Sequence, residues 1–373
     1  MRILLAALLV PFALATVVGL VLLHPFDRTP VDDATSGPRV DGHITATVER
    51  PCDDEPGSIG CLALSVRLDE GPLAGQTIET LITAPRGVPP FGTGDDVVLT
   101  TAGGLDTDPA AYQIVDQQRD TPLLLLGAIF AAAVVALGRW RGLAALAGLG
   151  MTGVVLIGFV LPAILAGRNP LVVAVVGSFA IMFSALYLTH GFSARTSTAV
   201  LGTLGSLLLI GLLGITFTQL ARLTGADEDT ASLGATLGTA IDGRGLLLAG
   251  LVIGALGALD DVTVTQTTAV WELRAADPDL PPAALFGAAM RIGRDHVASA
   301  VNTLVLAYAG TALPLLLLFS VAERGLVDTL TTQVIATELV RTLVGSIGLV
   351  VSVPLTTALA VVVAGRGELR PTG

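Results

Sequence analysis

The sequence predicts an all-α polytopic membrane helix bundle of about eight transmembrane helices, with a small extracytoplasmic β-barrel-like domain of OB type inserted after the first helix. Hydrophobic residues make up 52% of the 373 and charged residues 14%, against about a quarter charged in soluble domains. Several apolar stretches reach the roughly 18 residues or more that a bilayer core requires. Charge is unevenly spread. Between His24 and Asp120 there are 17 acidic residues against 6 arginines, which accounts for the whole formal charge of −11. That local acidic excess argues against nucleic acid as a partner.

Residues 1–23 read as an N-terminal transmembrane anchor. Ala13-Leu14-Ala15 mimics a signal-peptidase site, but the apolar run continues to Leu23, which is span length rather than signal length. Residues 24–40, rich in Pro, Asp, Thr and Ser, form a tether. Residues 41–118 form the β domain, 121–364 a seven-helix bundle and 365–373 a tail. The bundle's spans fall near 121–138, 142–166, 170–190, 197–221, 245–262, 297–320 and 338–364.

Arginine placement sets the orientation. With the N-terminus inside, Arg2, Arg139, Arg141, Arg195, Arg274, Arg291, Arg294, Arg366 and Arg370 are cytoplasmic; Arg168, Arg222, Arg244 and Arg324 are external. This predicts a multi-pass plasma-membrane protein with both termini in the cytoplasm and the acidic β domain outside.

Alternating runs at His43–Glu49, Leu62–Leu68, Thr77–Thr83, Val97–Thr101 and Gln113–Asp116, separated by Gly, Pro and Asp clusters, predict five short strands. Five strands in so short a segment suit an OB-type barrel. Cys52 and Cys61, the only cysteines, flank the turn between the first two strands. Outside the membrane they are expected to form a disulfide, stabilising by roughly 2.5–3 kcal/mol on the chain-entropy model. A zinc site would need further ligands that the surrounding sequence does not offer. The β domain also lacks the basic, aromatic face of a nucleic-acid-binding barrel.

The segment with most chemical promise is Gly245–Arg274, GLLLAGLVIGALGALDDVTVTQTTAVWELR. Gly250, Gly254 and Gly257 allow close helix approach. On one helix Asp261, Thr265, Thr268 and Glu272 share a face, beside Asp260. Carboxylates near a bilayer core are costly and usually line water, a partner or an ion path; an interfacial stop to the apolar run is the plainer alternative. Glu272 is also placed to pair with Arg274. Further on, Asp295, Ser299 and Asn302 form a second polar stripe with Thr303 beside it, and an amide within a span needs a partner. Glu338 and Arg341, three apart, are expected to pair at the outer face or act as a gate. Gly345, Gly348, Ser352 and Thr356 make a small-residue stripe, and Pro354 is expected to kink or break that helix. His190 and His296 read as bystanders, and no metal site is expected.

No Walker-type phosphate loop is present, and a chain without lysine cannot build one. HExxH is absent, as is a GxSxG with a separated acid and base. Asp242 and Asp260 fall at opposite ends of one span, which argues against an aspartyl protease dyad. The expectation is a protein that is not an enzyme and carries no cofactor.

Several blocks carry a resemblance: GDDVVL around Asp95, the pattern Tyr112-x-Ile114-x-Asp116-x-x-Arg119, and GLLLAGLVIGALGALDDVTVTQTTAVWEL. MRIGRDHVASAVNTLVLAYAGTALPLLLLF and ELVRTLVGSIGLVVSVPLTTALA join them. Together, over about residues 40–364, they resemble the YibE/F-like family of bacterial membrane proteins. The resemblance implies a small external β domain followed by a multi-span bundle, and a role in membrane transport without a named reaction. The doublet Asp260-Asp261 departs from a commoner single Asp, which leaves open the carboxylate that matters.

Two function classes follow. One is a secondary transporter or channel for an unidentified small solute or ion, lined by the two polar stripes. The other is a non-transporting envelope protein whose β domain binds a partner protein while the bundle anchors it in the lipid bilayer. Small-residue faces also permit a homo-oligomer. A continuous polar cavity reaching Asp261 or Asn302 would favour transport; solid packing there would count against it.

Overall fold

The structure is a computed structural model that describes residues 2–26, 38–51, 59–85, 91–101, 108–225, 228–237, 241–321 and 325–366. The chain divides into two compact units: Thr29–Ala133, and Met1–Arg28 together with Val134–Gly373.

In the first unit β1 (Arg39–Pro51), β2 (Ile59–Leu68), β3 (Thr77–Pro85), β4 (Asp96–Thr101) and β5 (Tyr112–Gln117) form one antiparallel sheet. Its order is β3-β2-β1-β4-β5. The sheet curls, since its two edge strands, β3 and β5, touch. β1 serves both halves: from Gly42 to Pro51 it pairs with β2, and from Arg39 to His43 with β4. The turn in direction is made at Gly42 and a bulge between Ile44 and Ala46. A Cβ on Gly42 would lie 2.7 Å from the Arg67 carbonyl oxygen, so only glycine lets β2 pass this closely. Alternate residues fill the interior, with Val40, Ile44, Leu62, Leu64, Val66, Leu68, Ile78, Val97, Leu99 and Tyr112 all buried. Each such Val, Leu or Ile contributes about 1.5–3 kcal/mol by leaving water.

Two of the sequence blocks act locally here. Asp95 accepts the Gly92 amide at 2.7 Å, beside Gly94 at φ +93°, and so shapes the turn entering β4. Tyr112 is buried at the start of β5, and beyond it Arg119 donates to Asp116 at 2.6 Å. That hydrogen bond, with the Gln117 amide, holds the Asp116 carboxyl below its ordinary value. Cys61 is buried on β2; Cys52 lies outside the described residues.

The helices are α1 (Arg2–Leu23), α2 (Asp120–Gly138), α3 (Trp140–Val155), α4 (Leu161–Leu165), α5 (Pro170–His190), α6 (Ala194–Leu220), α7 (Glu228–Leu237), α8 (Gly243–Ala276), α9 (Pro282–Thr311), α10 (Leu313–Val321), α11 (Leu326–Leu330) and α12 (Gln333–Arg366). A π-helical turn over 156–160 joins α3 to α4. Among the described residues seven helices are long and apolar enough to cross a membrane: α1, α2, the α3–α4 run, α5, α6, α8 and α12. Local chemistry starts several of them. Asn169 caps α5 by accepting the Val172 amide at 3.1 Å, Ser193 caps α6 through Thr196 at 3.0 Å, and Asp242 caps α8 through Gly245 at 2.9 Å.

The structure corrects two expectations and extends a third. The stretch 297–320 is not one helix. α9 starts earlier, at Pro282, and carries Arg291, Arg294, Asp295 and His296 in its middle; a break at Ala312 then separates it from α10. Pro314, with no amide hydrogen, fits the first turn of a new helix better than the interior of an old one. Pro354 does not break its helix, as α12 is continuous from Gln333 to Arg366; packing against neighbouring helices lets a membrane helix tolerate the one missing hydrogen bond. Finally, α8 runs past the end of the 245–262 span, continuing as the one helix expected to carry Asp261 to Glu272. Its 34 residues span about 51 Å, well beyond the roughly 30 Å of a hydrocarbon core.

The helical core is built on α5, α6, α8 and α12, with Leu186, Leu204, Leu207, Ile210, Leu251, Leu259, Leu349 and Val353 buried together. α6 and α12 approach so closely that a Cβ on Gly202 would strike the Thr356 hydroxyl, and one on Gly348 would strike Ile210.

Candidate functional site

α8 runs through the middle of this core, and its rotation decides which polar groups are inside. The face with Asp261, Thr265, Thr268 and Glu272 is not the inner one. Asp261 and Glu272 side chains are each 72% exposed, and Thr265 and Thr268 are half-buried. The inner face carries Leu259, Val262, Thr263, Gln266, Thr267 and Val270, all buried. It is itself a helical i, i+3, i+4 series, and its apolar members supply the surface that packing favours. Of the carboxylate doublet, Asp260 turns inward: its Oδ1 is shut away with no hydrogen-bond partner among the described residues.

A buried polar seam crosses four helices at this level. Thr203 of α6 and Thr263 of α8 share a hydroxyl–hydroxyl hydrogen bond of 2.8 Å. One turn on, Gln266 donates to the Ala289 carbonyl of α9 at 2.9 Å and to the Thr357 hydroxyl of α12 at 2.7 Å. Gly293 of α9 makes room for this amide, because a Cβ there would lie 2.6 Å from Gln266 Oε1. Ser352, Thr356 and Thr357 of α12, with Thr203 and Ser206 of α6, are all fully buried around it. Thr356 Oγ1, like Asp260 Oδ1, lacks a partner, which is costly for groups out of water.

The second predicted stripe does not join the seam. Asp295, Ser299, Asn302 and Thr303 lie exposed on α9, and Thr303 turns its hydroxyl back to the Ser299 carbonyl at 3.0 Å. Besides its Ala289 and Gly293 contacts with Gln266, α9 meets α8 through His296, whose Nε2 is 3.5 Å from Asp261 Oδ2. Glu272 does not pair with Arg274. Arg195 of α6 takes it at 2.8 Å, while Arg274 is buried and donates to the Pro278 and Leu280 carbonyls at 2.9 and 2.7 Å, closing the α8–α9 turn.

Two cavities lie along α8, one at its start and one beside the seam. The first, of about 390 Å³, is walled by Gly243, Leu246 and Leu247 of α8 and by Gln333, Glu338 and Arg341 of α12. Glu338 and Arg341 pair there at 2.7 Å, with each side chain 24% exposed. Tyr308 of α9 belongs to the same region: a Cβ on Gly254 would lie 2.8 Å from its hydroxyl, and one on Gly250 would lie 3.6 Å from Arg341 Nη2. Gly250 and Gly254 therefore face polar tips rather than another helix backbone, and a Cβ on Gly257 would meet nothing within 4 Å. The second cavity, of about 470 Å³, is walled by Arg141, His190, Arg195, Thr196, Thr267 and Thr268, among others. From Leu247 to Val264 the two are about 26 Å apart along α8, close to the hydrocarbon thickness. Neither is lined by Asp261 or Asn302, and buried Leu251, Leu256 and Leu259 fill the helix face between them, so neither is the continuous polar cavity expected of an open transport path. Among the described residues no group of His, Cys, Asp and Glu is placed to hold a metal ion.

Sequence reasoning passed over Thr203, Gln266 and Thr357. Their signal was present, as polar residues in apolar spans, but only spatial neighbours separate an inward threonine from an outward one.

Seven helices long and apolar enough to cross a membrane, among the described residues, with polar groups buried along α8, define a membrane protein. The YibE/F-like family model matches residues 126–366, and the chain belongs to that family. No curated protein and no solved structure matches it.

Proposed function

We propose that the protein is a secondary transporter or channel for a small solute or ion, held in an occluded arrangement, with its path along α8 between the two cavities. The observation that carries this reading is the buried seam of Asp260, Thr203, Thr263 and Gln266, which lies on α8 at and just before the level of the second cavity, with the first cavity at the start of the same helix. An anchor has no need of unpartnered polar atoms at that depth, whereas a conducting or alternating-access protein does. The apolar plug at Leu251, Leu256 and Leu259 requires that one end open at a time, and Glu338–Arg341 is the gate at the first cavity. With the orientation given by the arginine bias, that cavity faces outward and the Arg141–Arg195 cavity faces the cytoplasm. The test is solute and ion flux in proteoliposomes. Asp260→Asn is expected to lower flux at least tenfold and Asp261→Asn to leave it within about twofold. Equal flux in wild type and Asp260→Asn would sink the coupling role.

A second reading rests on the β unit, whose strand order and touching edges fit the OB type. Val48, Ala63 and Leu81 stand opposite one another across β1, β2 and β3, with Val48 and Leu81 50% and 62% exposed. An apolar row on an otherwise acidic domain supports binding of an envelope partner. Leu81→Asp, under this reading, abolishes that binding and leaves flux unchanged.

A further inference from the structure

The second cavity has a chemistry that the transport reading does not require. Three nitrogen-bearing side chains reach it from three helices: Arg141 from α3, His190 from the end of α5 and Arg195 from the start of α6. Thr268 of α8 adds a hydroxyl on the opposite wall. No carboxylate is among the lining residues. Glu272 is the acidic group in reach, and it is committed to Arg195 through a single Nη2 contact at 2.8 Å. Arg195 Nε is shut from solvent without an acceptor, so one donor edge of this guanidinium is unmet. Arg141 has no ion-pair partner among the described residues. The Asp260 and Asp261 carboxylates precede Val264 by about one turn of α8 and do not line the space. Two guanidiniums against one exposed carboxylate leave the cavity with a net positive charge, and a guanidinium presents paired donors matched to the oxygens of a phosphate or carboxylate.

We propose that this cavity is a binding site for a small oxyanion with phosphate chemistry, either free phosphate or the phosphate of a lipid headgroup. Arg141 supplies the uncompensated charge. Arg195 supplies a second donor edge whose strength Glu272 tempers. Thr268 adds a hydroxyl donor. The site stands whether or not anything crosses the membrane, because occupancy is measured apart from flux.

The test uses the full chain in a neutral detergent, titrated calorimetrically with inorganic phosphate at constant ionic strength. Wild type is expected to bind, and Arg141→Gln and Arg195→Gln to bind at least tenfold more weakly. Glu272→Gln is expected to bind several-fold more tightly, because it frees Arg195. Arg141 makes no ion pair to lose, so its variant should melt with wild type, and its phosphate affinity is the deciding measurement. Wild-type affinity in Arg141→Gln, or weakened affinity in Glu272→Gln, would overturn the proposal. A parallel arm reconstitutes the protein in nanodiscs of phosphatidylcholine with or without phosphatidylglycerol and weighs retained lipid by native mass spectrometry. Phosphate binding in lipid-stripped protein identifies the free anion as ligand. Arg141-dependent retention of phosphatidylglycerol without phosphate binding identifies the headgroup. Failure of both arms refutes the site and leaves the flux result of Asp260→Asn to stand or fall by itself.

Discussion

Both units of this chain bury apolar side chains, but the helical one also buries a seam of hydroxyls and an amide. In the β unit the interior is Val, Leu, Ile and one tyrosine, while the charges stand outside. In the helical unit exposed positions include Leu149, Val154, Ile157, Leu161, Leu208 and Leu212, and the interior also holds Thr203, Ser206, Thr263, Gln266, Ser352 and Thr357. The difference lies in the solvent. Where water surrounds the fold, apolar burial drives it. Where lipid does, apolar side chains gain little by moving inward, and close packing with interhelical hydrogen bonds takes over.

The largest expected effect breaks the β unit. Leu64, 1% exposed at its centre, should cost about 2–5 kcal/mol as Leu64→Ala. Hydrogen exchange should record the loss in β1–β3. The bundle's counterpart is overpacking. Gly202→Ala, pressed against Thr356, should cost about 1–3 kcal/mol, and adding Thr356→Gly should recover most of it in thermal melts in detergent. Recovery would locate the strain at this one contact; no recovery would place it elsewhere. Gln266→Leu sharpens the comparison further. It removes two hydrogen bonds but keeps the volume, and in a membrane each is worth only about 0.6–1.7 kcal/mol. Stability should therefore fall by roughly 1–2 kcal/mol, while flux falls much more. A stability loss as large as that of Leu64→Ala would make the seam a structural element instead of a path. The smallest effect concerns Asp116. Its folded pKa lies below the ordinary 3.8, so its pairing with Arg119 helps the fold fully above that value and is lost as pH falls through the lower folded one. Acid titration followed by NMR should show Asp116→Asn removing this dependence, with little change in stability at neutral pH.

The five strands were legible because alternation is a local, period-two signal, and each observed strand contains its expected run. Span positions were legible for a similar reason, since hydrophobic length is written along one segment. The division at Ala312 was missed because apolarity continues across it from Leu304 to Leu318, hiding a Pro-started second helix. Pro354 misled in the other direction: a proline costs a helix one hydrogen bond, and whether the helix survives depends on the neighbours that hold it.

The sequence alone determined the membrane-protein class, the five strands and most of the apolar spans. These are properties of consecutive residues. Only the tertiary structure decided how α8 is turned, that Asp260 rather than Asp261 faces inward, and that Glu272 pairs with Arg195 across 77 residues. Rotation about a helix axis is set by the volumes of its partners, here by the glycine at 293, the hydroxyls of α6 and α12 and the leucines packed between them. Those residues lie far apart in the chain and become neighbours only when it folds.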